Sequence, residues 1–176
     1  YVVYNGSTNI EKKGWYGLSH LMEHLLFKCF DSLQDEFDRD CIDYNAYTSP
    51  NEIVFYITGL NEKINKWKYK YVELLSEFHI TKEQFETERK VVLEEYTDSF
   101  NDQCNSHYYN IYRKIFNKYG AIGLKEDLMN LKYMDIIKFW ELQFSNPSKI
   151  INVSKDNKYK NNLIDFSDNK NKNKLK

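Results

Sequence analysis

The stretch GLSHLMEHLLFK, residues 17–28, constrains this chain more than any other segment. At about 100° per residue on an α-helix, its apolar side chains gather on one side and its polar ones on the other. The first side holds Leu18, Leu21, Met22, Leu25 and Leu26, and the second holds His20, Glu23, His24 and Phe27. The pattern predicts a helix that packs its leucines against a sheet while two imidazoles and a carboxylate project from the other face.

His20 and His24 stand about one helical turn apart, a spacing at which two imidazoles can bind one metal ion. Neutral imidazole nitrogens suit Zn²⁺, which lowers the pKa of a bound water to about 7. Glu23 is placed to take the proton of that water as it attacks a carbonyl group, and then to pass it to the leaving amine. The alternative is a solvated helix face that carries three polar side chains, since short motifs have false positives.

A catalytic zinc ion usually has three protein ligands, and the segment FETERKVVLEEY, residues 85–96, offers the third. Glu88 and Glu95 differ by about 20° around a helix, whereas Glu94 points about 100° away from Glu95. Two carboxylates on a partly apolar face are costly unless a cation compensates them. Alone the segment also fits an ordinary charged helix surface, but beside the histidine pair it favours a metal site.

Composition narrows the class of protein. The chain has 176 residues, of which 41% are hydrophobic and 16% aromatic, so we expect one folded domain with a real core. A net charge of −1 gives no basic surface for nucleic acid, and no apolar run approaches the roughly 20 residues of a membrane-spanning helix. We therefore expect neither a nucleic-acid nor a membrane partner.

The cysteines bear on the compartment. Cys29, Cys41 and Cys104 are odd in number and scattered, without CxxC spacing, which favours reduced thiols in the cytoplasm or another reducing compartment. An organelle is the alternative. The chain begins at Tyr1 rather than at methionine, so we expect its natural N-terminus and any targeting segment to lie outside this sequence.

The order of elements indicates an α+β fold, with an antiparallel or mixed sheet covered by helices. The expected strands are residues 1–4, a hairpin formed by 41–49 and 52–60, and residues 149–154; the expected helices are 17–28, 61–78, 81 to about 105 with a continuation through 116, and 125–144. Thr81 and Gln84 have the spacing of a capping box, and the polar residues 31–40 predict a loop. We place one domain at residues 1–156 and expect the Lys/Asn-rich residues 157–176 to form a disordered tail.

HLMEH, followed at residues 88–95 by ERKVVLEE, resembles the HxxEH and E(x)6E pattern of the pitrilysin/insulinase metallopeptidases, the inverzincins. That family includes insulin-degrading enzyme and the mitochondrial processing peptidase. Other stretches that resemble it are NGSTNIEKKGWYGLSHLMEHLLF, YNAYTSPNEIVFYI and residues 123–156. The resemblance covers residues 1–156 and implies a single half-module of the processing-peptidase type.

Carried over residue by residue, the resemblance implies that His20, His24 and Glu95 bind Zn²⁺, with cobalt or manganese as alternative metals. It implies that Glu23 is the general base. Glu88 would support catalysis by orienting the metal ligands.

The resemblance also implies how substrate binds. Family members bind peptide as an added strand at a sheet edge, which implies Asn45 and Ala46 as substrate contacts through side-chain amide and backbone hydrogen bonds. A plain hairpin strand is the alternative for these two residues. The sequence departs from the family where residues 43–44 replace small residues and where residues 28–30 stand in place of a Gly-Thr pair, so we expect the rims of the cleft to differ.

The leading hypothesis is a zinc-dependent endopeptidase that acts on peptides or unfolded polypeptide. Family enzymes are built from two related halves, and this chain resembles one, so we expect a second pitrilysin-type domain or chain as a partner. Loss of the electrostatic groups of that half would cost about 10²–10³ in turnover. The alternatives are a non-catalytic structural or regulatory subunit and a purely structural zinc site, although a structural site needs no adjacent base and usually uses cysteine.

Overall fold

The computed structural model describes residues 1–144 and 147–153, together with the backbone of residues 163–165. Its strands form one antiparallel sheet in the order β2-β3-β1-β4-β5. They are β1 (Val2–Asn5), β2 (Asp43–Thr48), β3 (Glu52–Thr58), β4 (Lys149–Ile151) and β5 (Leu163–Asp165). The α+β prediction is confirmed, and every described strand pairing is antiparallel.

The predicted hairpin is the pair β2–β3, which borders the histidine helix. Ser49 closes its turn, because its N–H donates to the Glu52 carbonyl at 2.8 Å and its Oγ accepts from the Glu52 N–H at 3.2 Å. Asn45 stands opposite Tyr56 in the resulting register. The strand order places β2 at one edge of the described sheet, so the outer side of β2 is open to another strand.

Helices cover the sheet, and the first of them confirms the predicted leucine face. The helices are α1 (Leu18–Phe27), α2 (Gln34–Asp40), α3 (Asn61–Ser76), α4 (Lys82–Asn101), α5 (Gln103–Phe116), α6 (Lys125–Asn130) and α7 (Tyr133–Gln143), with 3₁₀ turns at Ser7–Ile10 and Lys28–Leu33. The five apolar side chains of α1 are at most 1% exposed and share one core with Tyr4 and Phe55 of the sheet. The two histidines on the opposite face of α1 thereby point towards α4, while Glu23 of the same face reaches Thr48 at the end of β2.

The helix α4 packs against α1 and begins with the predicted capping box. Thr81 Oγ1 accepts from the Gln84 N–H at 3.1 Å, and Gln84 Oε1 accepts from the Thr81 N–H at 2.8 Å. Phe85 and Val92 of α4 are buried in the shared core. The capping box fixes where the helix starts, and these apolar contacts fix which of its faces meets α1.

The loop prediction for residues 31–40 is wrong, because a 3₁₀ turn and α2 occupy this segment. A single buried apolar side chain anchors α2: Phe37 packs edge-on against Trp67 of α3 with ring centroids 5.1 Å apart. The Asp40 carboxylate accepts hydrogen bonds from two lysines and from Trp67 Nε1, and these bonds hold the pKa of Asp40 below its usual value. Only one of the seven residues of α2 is apolar, so the segment has no hydrophobic periodicity of a helix. Tertiary contacts therefore specify this helix.

The single helix predicted for residues 125–144 is also wrong, because the chain is extended between α6 and α7. Arg89 of α4 donates to the carbonyls of Met129 and Leu131 at 2.9 and 3.3 Å, which satisfies the end of α6. Asp135 Oδ2 then accepts from the Lys132 N–H at 3.0 Å at the start of α7. A long-range side chain therefore divides a segment that is continuous by local pattern.

Two other boundaries differ from the prediction. The helix predicted to reach about residue 105 ends at Asn101, and Asp102 starts α5 by accepting from the Asn105 N–H at 2.7 Å. The final predicted strand, 149–154, is described as a strand only over β4. The predicted tail, 157–176, lies outside the described residues except for β5, which pairs with β4. Within the described ranges no helix combines the length and apolar composition needed to cross a membrane.

Candidate active site

His20, His24 and Glu95 meet where α1 packs on α4. His24 Nε2 lies 3.2 Å from His20 Nε2 and 3.5 Å from Glu95 Oε2, and His20 Nε2 lies 3.6 Å from the same oxygen. A tetrahedral zinc ion with ligand bonds of about 2.1 Å separates neighbouring ligand atoms by about 3.4 Å. The donor set and its spacing therefore fit a zinc ion. In the part of the chain that the structure describes, this is the only group of three such side chains close enough to share a metal.

The two helices place these side chains for separate reasons. On α1, burial of the leucine face forces the two histidines onto the opposite side. On α4, Val92 is fully buried, and Glu88 and Glu95 lie four residues before it and three residues after it, on the same side of the helix. Both carboxylates consequently lie on the side of α4 that meets the histidines of α1.

Burial controls the protonation of His20. Desolvation, assisted by the neighbouring His24, lowers the pKa of His20 to about 4. Its ring is therefore neutral near neutral pH, which is the form that binds a metal. Its Nδ1 atom is buried and has no hydrogen-bond partner among the described residues.

His24, in contrast, has a carboxylate on the far side of its ring. Glu88 Oε2 lies 3.5 Å from His24 Nδ1, and the Glu88 side chain is only 7% exposed. The other oxygen, Oε1, lies 3.6 Å from Lys28 Nζ. Glu95 differs from Glu88, because it lies on the Nε2 side of both rings and its side chain is 44% exposed. The two carboxylates of the E(x)6E pattern thus occupy different positions about the histidines.

Glu23 lies on the same face of α1 as the two histidines, and a residue of the sheet holds its side chain in place. Thr48, at the end of β2, donates a hydrogen bond from Oγ1 to Glu23 Oε2. Burial raises the pKa of Glu23 above its usual value, and the nearby Glu95 raises it further, while the Thr48 hydrogen bond and His24 oppose the shift. A carboxylate with a raised pKa is suited to accept and release a proton near neutral pH.

A cleft of about 350 Å³ adjoins the cluster of His20, His24 and Glu95. It is lined by Glu23, His24, Phe27, Lys28, Asn45, Glu88 and Val91. Asn45 is exposed, and its Oδ1 accepts from the Ala46 N–H at 2.8 Å. The structure thus brings Asn45 to the cleft, and Ala46, which is half-buried, follows it on the edge strand.

Sequence reasoning missed the residues that hold the start of α1. Glu11 accepts from the N–H groups of Gly17 and Ser19 at 3.0 and 2.7 Å, which places a carboxylate at the helix N-terminus. Asp127 Oδ2 accepts from the N–H groups of Gly14 and Tyr16 at 2.8 and 3.1 Å. Glu11 and Asp127 both lie within stretches that resemble the peptidase family, residues 5–27 and 123–156, and that resemblance was the signal for them. Thr48 and Lys28 were missed because their partners lie on other elements.

An antiparallel sheet thus carries an HxxEH helix, and a second helix packed on it completes the three-residue cluster. The sequence profile of the family described as Insulinase (Peptidase family M16) matches residues 2–121, which is more than half of the chain. The chain belongs to this family.

Its relatives carry related names. The zinc protease PqqE of Helicobacter pylori is 28% identical over 171 residues, which cover 88% of this chain and 37% of that protein. An uncharacterized zinc protease of Rickettsia bellii is 26% identical over 111 residues, which cover 60% of this chain and 27% of that protein. The chain therefore spans at most 37% of the length of these relatives.

Solved structures show the same fold. The crystal structure of a protease from Helicobacter pylori matches with a TM-score of 0.74 at 24% identity, over 82% of this chain and 37% of that chain. The periplasmic protease PqqL from Escherichia coli matches with a TM-score of 0.62 at 18% identity, over 79% of this chain and 17% of that one. Both likenesses confirm that this chain has the fold of one module within a longer peptidase chain.

Proposed function

We propose that this domain is the catalytic half of a zinc-dependent endopeptidase that hydrolyses peptides or unfolded segments of polypeptide. The observation that carries the proposal is the triangle of His20, His24 and Glu95, with Glu23 on the same face of α1. The names of the relatives, zinc proteases in Helicobacter pylori and Rickettsia bellii, support it.

The three clustered side chains would hold the zinc ion. A bound zinc ion supplies Lewis-acid activation of a water molecule and of the scissile carbonyl group. The lowered pKa of His20 keeps its ring neutral, so one ring nitrogen has a lone pair for binding. Glu88 faces the opposite nitrogen of His24, which favours the tautomer with the proton on Nδ1 and the lone pair on Nε2.

Glu23 would move the proton. Thr48 occupies its Oε2 atom, so Oε1 is the oxygen left to take a proton from the attacking water. The protonated carboxyl group then gives that proton to the amine of the leaving peptide, which would otherwise depart as an unstable anion. Burial supports this role because the raised pKa of Glu23 makes the protonated form accessible.

The edge strand β2 would bind the substrate backbone. A peptide that pairs with β2 as an added strand would lie beside the cleft that Glu23 and Asn45 line. It would have to displace Asn45 Oδ1 from the Ala46 N–H in order to use that donor. Asn45 is then released to bond the substrate, which gives both residues a role in binding.

We further infer that full activity requires a second module of the family. The chain spans 37% of the Helicobacter pylori protease PqqE, and the resemblance implies a second half that closes over bound peptide. That half would add hydrogen-bond donors for the charge that develops on the carbonyl oxygen.

The test measures zinc content and peptide cleavage separately. We expect near-stoichiometric zinc in the purified chain, loss of zinc in His24→Ala, and retention of zinc in Glu23→Gln. With the second module added, we expect Glu23→Gln to lower kcat by about 10²–10⁴, the contribution of a general base. Full turnover in Glu23→Gln would exclude this residue as the base. A stable complex of the two modules without cleavage would favour a non-catalytic subunit instead.

A further inference from the structure

We propose that Lys28 is a positioning residue for the zinc ligand His24 and acts on it through Glu88. The inference rests on the proposed function, because it concerns the same metal site. It assigns a role to a residue that neither HxxEH nor E(x)6E includes.

The geometry is a chain of three groups. Lys28 follows α1 directly, one helical turn after His24, so both side chains project towards α4. Its Nζ lies 3.6 Å from Glu88 Oε1, and Glu88 Oε2 lies 3.5 Å from His24 Nδ1. Each oxygen of one carboxylate therefore faces a different partner, with the lysine on one side and the imidazole on the other.

Burial explains why the carboxylate needs the lysine. The Glu88 side chain is 7% exposed, and a buried carboxylate is costly without a compensating cation. Lys28 is 41% exposed, so it supplies that cation while its amine keeps contact with water. Asp31 Oδ2, 3.5 Å from the same Nζ, anchors the amine from the solvent side. Glu88 and Asp31 both raise the pKa of Lys28, which keeps the amine charged.

Through Glu88, Lys28 affects the orientation of the His24 ring. With Oε1 held by Lys28, Oε2 remains directed at His24 Nδ1, which favours the Nδ1–H tautomer and aims the Nε2 lone pair at the metal position. His20 has no comparable support, because its buried Nδ1 lacks a partner among the described residues. Orientation of the imidazole pair therefore depends on the His24 side of the site.

The proposal and simple charge repulsion predict opposite changes in zinc affinity when Lys28 is removed. If Lys28 were only a positive charge near a cation site, its removal would strengthen zinc binding. If Lys28 acts through Glu88, its removal lets the carboxylate rotate away from His24 and weakens zinc binding. Loss of a group that orients a metal ligand typically costs about 10–100-fold in affinity.

The experiment measures zinc affinity by competition with a chromogenic chelator for wild type, Lys28→Met, Lys28→Arg, Glu88→Gln and the double variant Lys28→Met/Glu88→Gln. We expect Lys28→Met and Glu88→Gln each to weaken binding by about tenfold. The double variant should equal Glu88→Gln alone, because Lys28 has no effect without its intermediary. Lys28→Arg should restore most of the affinity.

Two controls separate this role from folding and from the proposed function. Lys138→Met, at an exposed lysine of α7, removes the same charge and should leave zinc affinity unchanged. In metal-free protein, the ¹⁵N signals of the His24 ring should report the Nδ1–H tautomer in wild type and a mixture in Lys28→Met. If wild type binds no zinc, the proposed function fails and these signals alone decide the role of Lys28.

Three results would overturn the inference: zinc affinity of Lys28→Met that equals or exceeds wild type, additive losses in the double variant, or His24 ring signals that Lys28→Met leaves unaltered. A change confined to the KM for peptide would assign Lys28 to substrate binding in the cleft.

Discussion

At the scale of single residues, the site depends on polar side chains that other elements hold in place. Glu23 comes from α1, but its orientation is set by Thr48 at the end of β2. A hydrogen bond to a charged group contributes about 1.5–3 kcal/mol, and most of it is lost when the donor is removed. The geometry of Glu23, the proposed base, is therefore a property of the contact between the helix and the hairpin.

Thr48→Val tests this dependence, because valine keeps the shape of threonine and removes the hydroxyl donor. We expect kcat to fall by about tenfold, because a less well oriented Glu23 carboxylate raises the activation free energy by about 1.4 kcal/mol. Zinc content and KM should stay unchanged. Steady-state kinetics of the assembled enzyme provide the measurement. Thr48→Ser keeps the donor and serves as the control; equal losses in both variants would show that the methyl group, and not the hydrogen bond, matters.

At the scale of elements, the start of α1 depends on a close approach of two backbones. Gly123, in the segment after α5, has φ +70°, and a Cβ placed on it would lie 2.4 Å from both Gly17 Cα and Tyr16 O. Leu124 N–H donates to the same Tyr16 carbonyl at 3.2 Å. Gly17, the residue before α1, therefore packs directly against residues 123–124, which follow both α1 and α4 in the chain.

Gly123→Ala should destabilise the domain and weaken zinc binding, because the new Cβ clashes with the backbone of Tyr16 and Gly17 and displaces the start of α1. Gly14→Ala is the matched control, since Gly14 has φ +90° but open space around its Cβ position. Both variants bear about 1–2 kcal/mol of backbone strain, and we expect about 1–3 kcal/mol more from the clash at Gly123. Urea unfolding and zinc titration measure the two effects; equal losses of stability in the two variants would contradict the close approach.

The elements also show what sequence can and cannot specify. The leucine stripe of α1 and the capping box at Thr81 are local patterns, and both were predicted at the right residues. Phe37 and Arg89 act through partners on other elements, so α2 and the break before α7 were invisible to periodicity. The spacings within HxxEH and E(x)6E each predicted one helix face, but neither states that α1 packs on α4. The family resemblance supplied that pairing, and the Lys28–Glu88 contact required the packed structure.

At the scale of the whole molecule, buried titratable groups make folding stability depend on pH. Burial raises the pKa of Glu11 to about 7, although the N–H groups of Ser19 and Gly17 oppose the shift and the nearby Asp127 adds to it. Burial lowers the pKa of His20 to about 4. Because the two groups act in opposite directions over an overlapping range, only a difference between variants isolates either one.

The sign for Glu11 follows from proton binding. Between its ordinary pKa of 4.5 and about 7, the folded state keeps the proton that the unfolded state has lost, so stability falls as pH rises. For His20 the unfolded state binds the proton between about pH 4 and 6.5, so stability rises with pH there. The variant Glu11→Gln removes the first contribution and leaves the second in place.

We therefore expect the stability of wild type relative to Glu11→Gln to decline by about 1–3 kcal/mol between pH 4.5 and 8. Urea unfolding of the metal-free proteins at several pH values provides the measurement, since bound zinc would add its own pH dependence. Glu94→Gln, at an exposed glutamate of α4, should show no such decline. A constant difference between wild type and Glu11→Gln across this range would mean that the pKa of Glu11 is the same in the folded and unfolded states. The two backbone donors at the start of α1 would then balance the effect of its burial.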